Sequence, residues 1–162
     1  MTTKDLFYGV PGMLRPFKEF VASKGLKKGD QIVYYGVPGI CSPFVELLAF
    51  AIRTFELEQV FVPLVDEEKA RTIQQVPDAG MQVGKAPSAL HPAAIVFMGG
   101  LSLPNVPVEA RQVKAIIDRY PGAAVIGFCS MHMFEEAGWP ATISFDCHID
   151  ANIDPVEVTK KS

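Results

Sequence analysis

Apolar residues occur along the chain in short runs that are bounded by glycine, proline and charged residues. Most of these runs lack the alternation expected of a strand with one wet face. Continuous apolar runs are typical of strands that are buried on both faces of a parallel sheet. The pattern therefore predicts four buried strands, at residues 32–35, 59–64, 93–98 and 123–128.

Segments with apolar residues at helical spacing lie between these runs. Ser42 and Pro43 suit the start of one helix, because serine is a favoured N-cap and proline fits the first turn. Ser130 is a candidate N-cap for another. The predicted helices lie within residues 5–25 (with Pro16 in the first turn), at 43–55, from 66, at 108–120 and at 130–137; residues 77–92 are predicted as a loop with a short strand at 81–83.

Residues 142–153 behave differently, since polar and apolar side chains alternate strictly. Period-two alternation marks a strand with one buried and one solvated face. We therefore predict an amphipathic edge strand with Cys147 on its buried face. Asp146, His148 and Asp150 fall on the other face, where two neighbours could share an ion. A solvated edge whose charges discourage strand pairing is the commoner arrangement, and we adopt that interpretation.

The alternation of strands and helices favours a three-layer α/β sandwich around a mostly parallel sheet of about five strands. The 162 residues are the length of one domain, so we predict a single α/β domain over residues 1–162. Hydrophobic residues make up 49% and charged residues 20% of the chain, as in ordinary folded proteins.

Charge and hydropathy argue against several classes of function. The net charge of −3 gives no reason to expect nucleic-acid binding, which favours a basic surface. No apolar run is long enough to cross a membrane, and the first residues lack the features of a signal peptide. Three irregularly spaced cysteines do not suggest a disulfide framework. These features predict a cytoplasmic protein with reduced thiols.

Two Cys-Ser pairs, Cys41-Ser42 and Cys129-Ser130, follow predicted strands and precede predicted helices. The carboxyl ends of parallel strands share one edge of a sheet, and a helix N-terminus lowers the pKa of a nearby thiol. Cys41 and Cys129 are therefore candidate nucleophiles, a candidate redox pair or candidate soft-metal ligands, with His132 as a third partner one helical turn on. The alternative is that both are small buried residues, the commoner situation for a free cysteine. No metal site is assigned.

Glycines at the predicted strand ends suggest an anion or cofactor site. Glycine lets backbone N–H groups approach a ligand, and the helix that begins at Pro43 would contribute its dipole. Pro43 itself removes one of the N–H donors, and no established phosphate-binding motif is present, so the glycines could equally serve only to turn the chain. The candidate binding residues are Gly36, Gly39, Ser42, Gly99, Gly100 and Ser130.

Three segments carry a resemblance to a known family: Tyr-Tyr-Gly-Val-Pro-Gly at 34–39, Phe-Met-Gly-Gly-Leu-Ser-Leu-Pro at 97–104 and Gly-Phe-Cys-Ser-Met at 127–131. Together they resemble an uncharacterised domain family found mainly in methanogenic archaea, over nearly the whole chain. The resemblance implies an archaeal, cytoplasmic protein with a Rossmann-like or flavodoxin-like sandwich. It implies no activity, so no catalytic residue is carried over.

Three hypotheses for function follow. In the first, which we favour, the domain binds a small anionic or nucleotide-like ligand at the carboxyl edge of the sheet. In the second, Cys41, Cys129 and His132 form a thiol-based enzyme or a metal-binding protein. In the third, the protein is a structural subunit of a homodimer or complex, paired through the apolar face of 143–153 or the exposed edge beside it. The reaction, if there is one, and the cofactor are not specified by the sequence.

Overall fold

A seven-stranded mixed sheet forms the centre of the fold in a computed structural model that describes residues 2–161. Its strands are β1 (Gln31–Gly36), β2 (Glu58–Pro63), β3 (Arg71–Val76), β4 (Gly80–Val83), β5 (Pro92–Met98), β6 (Ala124–Cys129) and β7 (Cys147–Asp150). The α-helices are α1 (Gly9–Ser23), α2 (Ser42–Ala51), α3 (Ala110–Arg119) and α4 (Met133–Glu136). Short 3₁₀ helices cover Arg53–Phe55, Glu67–Lys69, Gly99–Ser102 and Trp139–Ala141.

The strand order is β4-β3-β2-β1-β5-β6-β7. Five strands (β2, β1, β5, β6 and β7) run parallel to one another, and β3 and β4 extend the sheet as an antiparallel hairpin beside β2. From β1 the chain continues to β2, which lies on one side of β1, and later enters β5, which lies on the other side of β1. The direction of strand addition therefore reverses between β1 and β5, and the carboxyl ends of these strands lie at one edge of the sheet.

Helices cover both faces of the sheet, because alternate residues of each buried strand pack to opposite sides. On one face α1 and α2 bury Phe17 and Leu48 against a cluster that includes Tyr34 and Val96. On the other face α3 and α4 pack with residues such as Tyr35 and Phe97. The apolar-run strands β1, β5 and β6 are thus buried on both sides, as their sequence predicts.

The α/β class and the mostly parallel sheet are confirmed, whereas the predicted number of strands was too low. Five strands are parallel. The strand β3 was missed, because it lies in residues assigned to a polar helix, whereas the short strand predicted at 81–83 is β4, which pairs with β3 as a hairpin. Arg71–Val76 carries little apolar signal because one side chain, Ile73, is buried there. The polar segment after residue 66 is a short 3₁₀ helix, Glu67–Lys69.

The predicted strand at 142–153 is shorter than expected, although it does lie at the edge of the sheet. Regular pairing with β6 covers only Cys147–Asp150. Ile143 and Phe145 pack with the core on the α3 side, whereas Cys147 and Ile149 pack on the α1 side. The apolar residues therefore do not share one face, as the alternation predicted. Those before β7 pack on one side of the sheet, and those within β7 pack on the other side.

Helix starts also differ from the sequence prediction. The helix α1 begins at Gly9, so Pro16 lies inside it rather than in its first turn. The N-cap position of α2 is Cys41, and the Ser42 hydroxyl accepts the N–H of Gly39 (3.1 Å) instead of capping the helix. The helix α4 begins at Met133, with His132 rather than Ser130 at its N-cap position.

Candidate functional site

A small crevice opens at the carboxyl edge of the sheet, where β1, β5 and β6 end. Its volume is about 40 Å³. It lies where the direction of strand addition reverses, the usual place for ligands in open α/β sheets. Its walls come from the β1–α2 connection, from the Gly99-Gly100 pair and from the turn after β6. The lining residues are Ile40, Cys41, Phe44, Met98, Gly99, Gly100, Phe128, Cys129, Ser130 and Met133.

Glycines make room for both cysteines beside this crevice. A Cβ atom on Gly99 would lie 2.3 Å from Cys129 Cβ, and one on Gly100 would lie 2.6 Å from Cys41 Sγ. A Cβ on Gly36 would lie 2.9 Å from Cys41 Cβ. Real Cβ contacts are not this short, so these three positions admit only glycine without displacement of a cysteine.

Cys41 is held in place by backbone contacts. Its N–H donates to Val37 O at 2.9 Å, and its side chain is 3% exposed. Burial raises the pKa of the Cys41 thiol, and hydrogen bonds from the backbone at Val37 and Gly100 oppose that rise. Cys41 is therefore a protonated thiol at neutral pH, in a wall of the crevice.

The second thiol, Cys129, meets an imidazole and a carboxylate from the neighbouring strand. In the parallel pair of β6 and β7, Cys129 lies opposite Asp150 and Gly127 lies opposite His148. Because residues two apart share a face, both side chains of β7 reach the same sulfur. Cys129 Sγ lies 3.2 Å from His148 Nε2 and 3.6 Å from Asp150 Oδ1.

Protonation of this pair follows from burial. Burial raises the pKa of Cys129 to about 12, with a further increase from Asp150, against hydrogen bonds from the backbone at Phe134 and Met133. Partial burial lowers the pKa of His148 below its ordinary value, although Asp150 and Glu135 act in the opposite direction. At neutral pH the pair is therefore a neutral thiol beside a neutral imidazole, not a thiolate–imidazolium ion pair.

Aromatic rings fix the His148 imidazole. Its ring centroid lies 5.7 Å from that of Phe134 and 5.5 Å from that of Phe145. Phe145 in turn covers Gly127, where a Cβ atom would lie 3.0 Å from the ring. Phe145, which packs over Gly127, thus holds the imidazole against Cys129. Part of His148 remains exposed to solvent.

The turn after Cys129 has an unusual backbone. Met131 and His132 both adopt left-handed conformations, with φ of 51° and 56°, a state that costs of order 1–3 kcal/mol for a residue other than glycine. Polar groups at and beyond the end of β7 hold the turn. Asp150 accepts the His132 N–H (3.2 Å) and contacts its Nδ1, and Asn152 accepts the Met131 N–H.

The structure places the sequence-predicted residues unequally. Cys41, Cys129, Gly99, Gly100 and Ser130 line the crevice, and Gly36 lies directly behind Cys41. Gly39 and Ser42 bond to one another beside it, so the Gly39 N–H is already used. The His132 imidazole contacts Asp150 and lies 3.8 Å from Glu135, and its side chain is 56% exposed.

His148 and Asp150 are the two site residues that sequence reasoning assigned instead to a solvated edge. Polar faces of edge strands usually meet water, and nothing in the sequence shows which strand lies alongside. The sequence feature that could have located them is their spacing, because residues two apart on a strand, such as His148 and Asp150, share a face. Once β7 is placed parallel to β6, that face is brought to Cys129.

Two further properties of the chain concern metal ions and membranes. Within residues 2–161, no group of three or more His, Cys, Asp and Glu side chains is arranged to hold a metal ion. The helices of this described part of the chain include none that is long and apolar enough to span a membrane.

The fold and the site together define an α/β protein with a mostly parallel seven-stranded sheet and a thiol–imidazole contact at its carboxyl edge. The chain belongs to the family described as an uncharacterized protein conserved in archaea (DUF2124), whose model matches residues 8–154. The family resemblance predicted from residues 34–39, 97–104 and 127–131 is thereby confirmed.

Relatives of the chain come from methanogenic archaea. An uncharacterized protein of Methanothermobacter thermautotrophicus is 35% identical over 150 residues, covering 91% of this chain and 78% of the relative. An uncharacterized protein of Methanocaldococcus jannaschii is 35% identical over 145 residues, covering 90% and 86%. The crystal structure of a protein of unknown function from M. thermautotrophicus matches with a TM-score of 0.86 and 31% identity, over 99% of both chains. The chain therefore shares its fold with this solved protein.

Proposed function

We propose that this protein carries out thiol-based chemistry, with Cys129 as nucleophile and His148 as its general base. The observation that carries the proposal is the 3.2 Å contact between Cys129 Sγ and His148 Nε2. A nucleophile and a base within hydrogen-bond reach are the minimum requirement for such a site. Cys129 is buried, with 3% of the residue exposed, and the crevice that it lines is the route by which a small electrophilic substrate would reach it.

The thiol must be activated during the reaction, because it is protonated at rest. The proton on Sγ moves to His148 Nε2 while Sγ forms a bond to the electrophilic atom of the substrate and the leaving group departs with its bonding electrons. Backbone N–H groups of Met133 and Phe134 favour negative charge on the sulfur and support the developing thiolate. The neutral imidazole at neutral pH is the form that can accept the proton.

Asp150 is a positioning residue in this scheme. Its carboxylate lies beside the sulfur and raises the pKa of Cys129, which disfavours a thiolate in the free protein. The sulfur therefore becomes nucleophilic only when His148 removes its proton as a substrate reacts. The same carboxylate holds the His132 N–H and hence the turn that follows Cys129. The arrangement makes Cys129 a selective nucleophile rather than a generally reactive surface thiol.

Alkylation by iodoacetamide, followed residue by residue by mass spectrometry, tests the proposal. The expected result at pH 7 is that His148→Gln slows modification of Cys129 by about 10²-fold, as expected when a general base is lost. Cys41→Ser is the matched control, since Cys41 lines the same crevice but does not contact His148; it should leave the rate at Cys129 unchanged. An equal rate at Cys129 in the wild type and in His148→Gln would contradict the proposal.

A second candidate is the binding of a small ligand, anionic or nucleotide-like, at the same edge. The five parallel strands, numbered among themselves, have the order 2-1-3-4-5, which is that of flavodoxin-like members of the Rossmann-like sandwiches, and these bind ligands at the reversal point. Gly99, Gly100 and Ser130 line the crevice there. Thermal-shift screening against phosphorylated metabolites and nucleotides tests this candidate, and a stabilising shift that is lost on Ser130→Ala supports it.

We also propose a cytoplasmic location and a homodimeric state. Three free cysteines fit a reducing compartment. The apolar side chains of β7 pack into the core, so the surface left for pairing is the outer edge of that strand.

A further inference from the structure

We propose that a second cavity, on the α3 side of the sheet, binds a small organic monocarboxylate. This cavity is a groove between the loop that leads from β5 into α3 and the segment around Trp139, and its volume is about 740 Å³. Ordinary small-molecule pockets have ~300–1,000 Å³. None of the residues that line the groove lines the crevice beside Cys129, so this site is separate from the proposed thiol chemistry.

The Trp139 indole supplies an unpartnered donor to the groove. Its ring packs against Phe134, with the centroids 5.3 Å apart, and 5% of the residue is exposed. Within residues 2–161 the indole N–H has no acceptor, yet no fully buried side-chain nitrogen or oxygen there lacks a partner. The N–H therefore lies at the small exposed part of Trp139, a residue that lines the groove. Because indole N–H groups in buried residues usually find a partner, we expect a ligand to supply the acceptor.

The first turn of α3 adds further donors to the groove. The capping box at Glu109 and Gln112 uses the backbone N–H groups of these two residues. Among the described residues, the N–H groups of Ala110 and Arg111 are left over, as in the first turn of any helix. Such groups, together with the helix dipole, favour an anion at the N-terminus.

Arg111 defines the kind of anion that fits. Its Nε contacts the Glu109 carboxylate, which leaves both terminal NH₂ groups of the exposed guanidinium for a ligand. A guanidinium binds a carboxylate through two parallel hydrogen bonds. Glu109 and Arg111 are the charged residues of the lining, and their charges balance. Since only the helix N-terminus remains to offset the charge of a ligand, the groove suits one carboxylate better than a polyphosphate.

The loop side of the groove provides an apolar surface. Pro104, Val106 and Pro107 lie there, between β5 and α3. A ligand with its carboxylate at Arg111 can therefore lay an aliphatic chain along the loop.

Fluorescence of Trp139, the one tryptophan of the chain, tests the proposal. Butyrate, hexanoate and octanoate are the probes, and hexanamide is the uncharged control of the same shape. We expect a saturable change at millimolar concentrations of the carboxylates. Hexanamide should bind ~10-fold more weakly or worse, because hydrogen bonds that involve a charged group are the stronger ones. No saturable change with any of the three carboxylates, or equal affinity for hexanamide, would overturn the proposal.

Charge variants on α3 locate the site. Arg111→Gln should weaken hexanoate binding by ~10-fold, because the charged donor is lost. Lys114→Gln is the matched control, since it removes the same charge from the same helix, but Lys114 pairs with Asp118 and does not line the groove. Undiminished binding in Arg111→Gln, or an equal loss in Lys114→Gln, would contradict the assignment.

Two further variants separate the groove from the rest of the molecule. Trp139→Phe keeps a ring against Phe134 and removes the N–H, so hexanoate binding, now followed by ligand-observed NMR, should weaken while circular dichroism stays unchanged. Cys129→Ser should bind hexanoate as the wild type does. Loss of binding in folded Cys129→Ser would place the carboxylate in the crevice and overturn the proposal.

Discussion

At the scale of single residues, the contact between Cys129 and His148 is set up as a neutral pair. Burial raises the pKa of the thiol and lowers that of the imidazole, and both shifts keep the proton on sulfur. An ion pair in the same place would have to overcome the desolvation of two charges. Both side chains are therefore uncharged in the absence of a substrate, and the chemistry of the pair depends on proton transfer during a reaction.

The pH dependence of Cys129 alkylation should reveal this state. Because the pKa of His148 lies below its ordinary value near 6.5, the rate should fall on acidification only below that value, as the imidazole takes a proton. It should be level through neutrality and rise again toward the thiol pKa of about 12. In His148→Gln the acid limb and the level region should both disappear. A wild-type profile with a single rise at high pH would rule out the base.

Gly99 should be intolerant of any side chain. Gly99→Ala places a methyl group against Cys129 Cβ and Cα, and overpacking of this kind typically costs about 1–3 kcal/mol. Gly122→Ala is the matched control, since a Cβ there meets nothing within 4 Å. Urea unfolding should show a lower midpoint for Gly99→Ala and an unchanged or slightly higher one for Gly122→Ala. Equal midpoints would contradict the close approach of Gly99 to Cys129.

At the scale of elements, β7 holds both the base and the turn after β6. The left-handed residues Met131 and His132 persist because Asn152 and Asp150 accept their N–H groups. A strand of four residues, together with Asn152 just beyond it, thereby fixes the direction in which the chain leaves Cys129.

Removal of the Asn152 side chain should loosen this turn. Asn152→Ala leaves the Met131 N–H without its acceptor, and loss of one such bond costs about 1 kcal/mol. Hydrogen exchange at Met131 and His132 should accelerate, and the free energy of unfolding should fall by that amount. Val158→Ala, at a residue that is 73% exposed, is the control and should change neither. Unaltered exchange in Asn152→Ala would show that Asp150 alone holds the turn.

The elements also show what sequence can and cannot predict here. β1, β5 and β6 were predictable because burial on both faces demands continuous apolar runs, and their ends located Cys41, Cys129 and the Gly99-Gly100 pair. β3 was not, because its one buried side chain gives no periodicity. His148 and Asp150 could not be assigned to the site either, since their role depends on which strand lies beside β7, and pairing is a property of the folded sheet.

At the scale of the whole molecule, the sheet has two open edges, β4 and β7. Unpaired edges present backbone groups that can pair with a second chain. β7 is short, and its site residues contact Cys129 on one face of the sheet, which leaves the outer edge of its backbone for a partner. This geometry underlies the proposed homodimer.

A sizing column with light scattering tests the dimer. The expected mass is about twice the 17.7 kDa of one chain, since an edge strand pairs symmetrically with its own copy. Ile153→Lys adds a charge just beyond β7 and should shift the protein toward monomer. Val83→Lys adds the same charge at the opposite edge, where the parent side chain is 63% exposed, and should leave the dimer intact. A wild-type monomer at millimolar concentration would contradict the proposal.

The position of β7 in the chain has a consequence for biosynthesis. His148 follows Cys129 by 19 residues, so at ~5–20 residues per second the thiol is made about 1–4 s before its base. Until β7 docks beside β6, the nascent chain carries an ordinary cysteine with no partner to activate it. An exposed cysteine has a pKa near 8.5, so the thiolate fraction of Cys129 is larger in the nascent chain than after burial raises its pKa to about 12. Folding would therefore replace the general reactivity of an exposed thiol with a reactivity that depends on His148.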